Sequence, residues 1–131
     1  MKRTKQFTFA LENKPGQLVG LAEYLAKAKL NILAMSVVDT AEQSLVRLVV
    51  DKPAVLQKIV KDCPCGAPVR DVLLVDMANQ PGMLAKAAGR LAKKRINVDF
   101  VYGSTGAGRG KTHVVFGVKN LSAASKALAR L

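Results

Sequence analysis

Asn13-Lys14-Pro15-Gly16-Gln17-Leu18 returns as Asn79-Gln80-Pro81-Gly82-Met83-Leu84, 66 residues further along a chain of 131. The correspondence continues at the same offset. Ala22 meets Ala88, Leu25 meets Leu91, Ala26 meets Ala92, Lys27 meets Lys93 and Asn31 meets Asn97, with conservative pairs at Lys29/Arg95, Leu30/Ile96 and Ile32/Val98. A period of half the length means one structural unit written twice, and it constrains the fold more than any composition does. Two copies are too few for a solenoid, so the expectation is a duplicated domain, with repeats at 1–68 and 69–131. A lone domain of this size buries only about 60% of its unfolded surface and is marginal. The halves are therefore expected to pack on each other or on a second chain.

Each copy alternates strand and helix patterns. Gln6–Leu11 is aromatic and apolar and reads as a strand. Asn13 is a preferred helix cap and Pro15 suits a first turn. Leu18, Leu21, Ala22 and Leu25 then fall at the spacing of an amphipathic helix ending near Lys27–Lys29, where cations suit the negative end of the helix dipole. Strands are expected over Ile32–Val38 and Ser44–Val50, with a turn at Asp39–Gln43. A second helix opens at Pro53 and carries Val55, Leu56, Ile59 and Val60. The second copy repeats the order: strand Val69–Met77, a helix with Leu84, Ala87, Ala88 and Leu91, strands Ile96–Tyr102 and Thr112–Val118, and helix Ser122–Leu131. The expected class is α+β, helices on one face of an antiparallel sheet. A βαββαβ unit needs a closing strand after its second helix, and the second repeat lacks one. Val69–Met77 is expected to close the first repeat as well as open the second, by pairing with Gln6–Leu11.

Charge and reactive residues narrow the function. The net charge is +12. Residues 1–66 hold ten basic and six acidic side chains, and residues 67–131 hold eleven and three, so the excess concentrates in the second half. This favours anionic partners or simply a solvated basic surface. Cys63 and Cys65 are too close for an unstrained disulfide. With His113 the only histidine they make no metal site, so free thiols are expected, and no metal or cofactor. The apolar stretch after Lys2, Arg3 and Lys5 is too short for a signal sequence, and no run reaches membrane-spanning length. The chain is expected to be cytoplasmic, with no membrane partner. Gly103–Thr112 superficially suggests a phosphate loop. Thr105 stands where the first glycine is needed, and a strand pattern follows instead of a helix, so a glycine-rich hairpin is expected. No nucleophile or acid–base set can be assembled, which argues against an enzyme.

The repeated turn carries the main binding expectation. Its glycine admits a ligand close to the backbone, and the free N–H groups of a helix start favour carboxylates. Equally, the Asn can cap while the Gly permits close packing. The turn, the helix stripe and the later Leu30-Asn31-Ile32 or Ile96-Asn97-Val98 together resemble the ACT domain, twice, over nearly the whole chain. The resemblance implies ferredoxin-like βαββαβ repeats that bind an amino acid or another small ligand and regulate an enzyme. Such domains pair side by side, so a homodimer or higher oligomer is implied, acting on a separate protein. It further implies ligand contacts at Asn13, Gly16 and Gln17, at Asn79, Gly82 and Met83, and at Asn31 and Asn97 from across an interface. Asp99, which stands where the first copy has Leu33, could meet an amino group or face solvent. Leu11 and Met77 replace a histidine of serine-binding members. The alternative is a basic α+β nucleic-acid-binding module in which Phe7 and Phe9 form a small stacking platform.

Overall fold

The computed structural model describes residues 1–62, 67–105 and 110–131. Chain order is β1 (Lys2–Glu12), α1 (Gln17–Lys27), β2 (Ile32–Asp39), β3 (Gln43–Val50), α2 (Pro53–Lys61), β4 (Val69–Ala78), α3 (Met83–Lys93), β5 (Phe100–Thr105), β6 (Lys111–Gly117) and α4 (Leu121–Ala127). The expected thiols at Cys63 and Cys65, and the tip of the glycine-rich hairpin at 106–109, lie outside the described residues. The antiparallel pairing of β5 with β6 on either side of that tip agrees with a hairpin, not with a strand–loop–helix phosphate site.

Contacts divide the chain into two units, one of Lys5–Arg70 and one of Asp71–Leu131 with Met1–Thr4. In the first unit, β3 pairs antiparallel with β1 on one side and with β2 on the other. Alternate strand residues Phe7, Phe9, Val46, Leu48 and Val50 point to one face and meet Leu21 and Leu25 of α1 and Leu56 and Val60 of α2. Full burial of side chains this large contributes about 1.5–3 kcal/mol each, so this face holds the unit together. The second unit repeats the arrangement. Its β6 pairs with β4 and β5, and Leu73, Val75, Met77, Val114 and Phe116 meet Ala87 and Leu91 of α3 and Ala124 and Leu128 of α4.

Both first helices begin and end alike. Gly16 and Gly82 precede them at φ 89° and 90°. At the far end, Lys29 and Arg95 are left-handed (φ 58° and 55°). The amides of Leu30 and Ile96 reach back to the carbonyls of Leu25 and Leu91 at 3.0 and 2.9 Å. This is a Schellman stop, with an apolar residue after the turn packed near the helix it ends.

β4 has β6 as a neighbour. Its first residues, Val69 and Arg70, belong to the first unit and the rest to the second. Just before β4, the Thr8 amide of β1 donates to Pro68 O at 3.0 Å, within the unit of Lys5–Arg70. Among the described residues α4 is the last element of the second unit in chain order. Met1–Thr4 fall in that unit as well, with Arg3 Nη2 donating to Ser122 Oγ of α4 at 2.5 Å.

Several local expectations are corrected. Asn13 and Asn79 do not cap the helices; Gly16 and Gly82 occupy the cap positions without a side-chain bond. The stripes are narrower than expected, since Leu18 and Leu84 are 47% and 51% exposed. β5 starts at Phe100, not Ile96. The first repeat already breaks its ladder at the corresponding place, with a register shift between Ile32 and Ala34, and Asp99 is the second repeat's counterpart of Leu33. α4 spans Leu121–Ala127, not Ser122–Leu131.

Candidate functional site

The two turns are built alike and used differently. In each, the residue after the Asn folds back on the one before it: the Lys14 amide donates to Glu12 O at 2.9 Å and the Gln80 amide to Ala78 O at 3.0 Å. This tight reversal carries the chain from strand to helix, and the left-handed glycine completes it, a conformation that costs other residues about 1–2 kcal/mol.

In the first repeat, Asn13 Nδ2 donates to Asp39 Oδ1 at 2.9 Å, fastening the turn to the end of β2. Gly16 and Gln17 border a cavity of about 340 Å³. Its other walls are Phe9, Leu11, Leu21 and Val60, with Gly20 and Tyr24 from α1. The cavity is apolar apart from Gln17 and Tyr24. Asn13 does not line it. Asn31 lies at the other end of α1, where its amide donates to Asp51 Oδ1 and its carbonyl accepts from the Asp51 amide, both at 3.0 Å.

In the second repeat the turn faces β5. Asn79 and Met83 line a pocket of about 280 Å³ with Gln80, Tyr102 and Thr112. The Asn79 amide donates to Gly110 O at 2.8 Å, tying the turn to the β5–β6 hairpin. Gly82 shapes the turn without lining the pocket. Asn97 and Asp99 lie elsewhere, in a separate hollow at the opposite end of α3, where Asn97 Nδ2 donates to Asp99 Oδ1 at 3.1 Å. Within one repeat, therefore, the turn Asn and the later Asn are not brought together.

Tyr24 and Asp39 were missed by sequence reasoning. Asp39 was read only as a turn residue, and its pairing with Asn13 spans 26 positions that no local pattern links. Tyr102 stands where the first copy has Ser36 at the 66-residue offset, which is the signal that could have marked it. The aromatic residues offer little to a stacking ligand. Phe7, Phe9 and Phe116 are buried, and Phe100 stacks on Tyr102 with ring centroids 6.2 Å apart. His113 Nδ1 meets Asp76 Oδ1 at 2.6 Å. Among the described residues no group of three or more His, Cys, Asp or Glu side chains could hold a metal, and no helix is long and apolar enough to cross a membrane.

Comparison with known proteins bears on this geometry. The chain is similar to the protein BT0572 from Bacteroides thetaiotaomicron, with 29% identity and a TM-score of 0.84 over 96% of this chain and 86% of that one. It shares its fold with the ligand-free regulatory subunit of aspartate kinase from Thermus thermophilus, at 13% identity and a TM-score of 0.65 over 98% and 91% of the two chains. The same holds for a structure of aspartokinase alpha and beta subunits, at 19% identity and a TM-score of 0.62 over 96% and 89%. No curated protein matches the sequence. The sequence matches the ACT domain pair over residues 2–129, so the doubled turn and its two βαββα repeats place this chain in the ACT domain family.

Proposed function

We propose that this protein is a non-catalytic regulatory module of repeats 1–68 and 69–131 that binds a small molecule, an amino acid before other classes, and acts on a separate enzyme in the cytoplasm. The observation that carries the reading is the pocket at the second turn. It gathers Asn79, Tyr102 and Thr112 among the residues lining about 280 Å³. That is near the lower end of small-ligand pockets, roughly 300–1,000 Å³, with the mixed apolar and polar lining such sites use. The neighbouring helix start favours a carboxylate. Similarity to regulatory subunits of aspartate kinase supports the regulatory role.

The open edges support self-association. Among the described residues, β2 has β3 as its single strand neighbour and β5 has β6. Val37 and Val38 on β2 are 51% and 41% exposed, and Leu18 on α1 and Leu84 on α3 are exposed too. Unpaired apolar edges are templates for pairing with another chain.

The test is thermal unfolding with each of the twenty amino acids. A ligand at a hundredfold excess over its Kd adds about 2.7 kcal/mol, which raises the midpoint by several degrees. The stabilising amino acid should lose its effect in Asn79→Ala. If none of the twenty moves the midpoint, the amino-acid reading fails.

A further inference from the structure

The hollow at the far end of α3 has no part in the turn pocket. It is an open hollow of about 330 Å³ lined by Lys94, Arg95, Asn97, Asp99, Lys119 and Asn120, all exposed. Its cations come from two separate segments. Lys94 is the C-cap of α3 and Arg95 its left-handed stop, and Lys119 lies on the connection from β6 to α4. Basic residues at a helix end are ordinary, because the helix dipole favours them there. That explanation covers Lys94 and Arg95 but not Lys119.

The first repeat provides the internal comparison. Asp51 and Lys119 each stand immediately before the cap residue of their repeat's second helix, Lys52 and Asn120. In the first repeat the Asp51 carboxylate closes the corner by accepting the Asn31 amide at 3.0 Å. In the second repeat the same position has the opposite charge. The corner's one carboxylate, Asp99, is engaged by Asn97 Nδ2. Ala28 of the first repeat becomes Lys94 at the 66-residue offset. The duplication has thus replaced an acid and an alanine with two cations around one concave space, leaving three cations against one carboxylate.

We propose that this hollow binds a small multivalent oxyanion, a pyrophosphate or phosphate-ester group, held by Lys94, Arg95 and Lys119. The Asn97 and Asn120 side chains line the same space, and amides of this kind can meet the oxygens that cations leave. Three cations gathered around one open hollow favour a small anion over nucleic acid, which needs an extended basic track along its backbone. The site is separate from the turn pocket and stands or falls independently of the amino-acid reading.

The test is a titration of the full ¹⁵N-labelled chain with sodium pyrophosphate at constant ionic strength, followed by amide shifts. Saturable movement is expected at Arg95–Asp99 and Lys119–Ala123, with Gln80–Met83 unmoved. Lys119→Asp, which restores the charge of the first repeat, should weaken binding roughly tenfold or more. Lys119→Gln should give a smaller loss and serves as the measurement if the reversal impairs folding. Non-saturating shifts spread over the basic surface overturn the proposal, as does unchanged affinity in a folded variant. Binding of a short single-stranded oligonucleotide through residues outside the hollow, falling steeply with salt while pyrophosphate does not bind, overturns it in favour of nucleic acid.

Discussion

Gly16 and Gly82 stand at φ 89° and 90°, and a Cβ added at either would find no atom within 4 Å. The glycine requirement there is a matter of backbone strain and not of space. Gly82→Ala should cost about 1–2 kcal/mol in denaturant unfolding, and Gly82→Asn less, because Asn tolerates the left-handed region. Gly117 is the opposite case. Its backbone is ordinary, but the ring of its cross-strand partner Phe100 covers the place a Cβ would take. Gly117→Ala should destabilise by about 1–3 kcal/mol through overpacking, and Phe100→Leu in the same chain should recover part of the loss. At this scale the sequence revealed which residues recur but not what they touch. Asn13 recurs as Asn79, yet one reaches Asp39 with its side chain while the other lines a pocket. The difference lies in partners distant along the chain, which a local pattern does not contain.

Among the elements, the helices were the most legible, because Leu21, Leu25, Ala87 and Leu91 keep a helical period against a single apolar face. The strand at Ile96 was misread. Alternation alone does not report that the chain leaves the ladder there, where Asp99 gives its amide to Gly117 O at 2.8 Å and regular pairing begins only at Phe100. The helix stops yield a prediction of their own. Lys29 is held left-handed at φ 58° by the Schellman turn, a conformation glycine adopts more easily. Lys29→Gly should therefore raise stability, by about 0.5–1 kcal/mol after the greater entropy of the unfolded glycine chain is counted. The edge strands give another. If β2 joins a second copy, Val37→Lys should shift the protein toward monomer in light scattering after size-exclusion chromatography, with little change in the unfolding midpoint of the monomer. An unchanged oligomer would remove β2 from the interface.

For the whole molecule, the duplication announced itself in the sequence, and a double role was expected of Val69–Met77, while the sharing of Met1–Thr4 did not show. Met1–Thr4 open β1 but belong to the unit of Asp71–Leu131, and Val69–Arg70 open β4 but belong to the unit of Lys5–Arg70. Nothing in the residue types marks the crossing at Met1–Thr4, since a strand pattern reports which face is apolar and not which neighbour it serves. Removing Met1–Thr4 should therefore loosen the second unit. Hydrogen exchange should show β4 amides over Asp71–Ala78 losing protection while β2 and β3 keep theirs; equal loss in both units, or none, would contradict the assignment. The same sharing has a consequence for descent. A gene duplication usually leaves two cassettes, either of which can be deleted or joined to something new. Here a cut between the halves would take four residues from one product and two from the other, so recombination at the midpoint yields two damaged pieces in place of two domains. Selection can then vary the halves separately, as the reversed charge at Lys119 illustrates, but it must inherit them together.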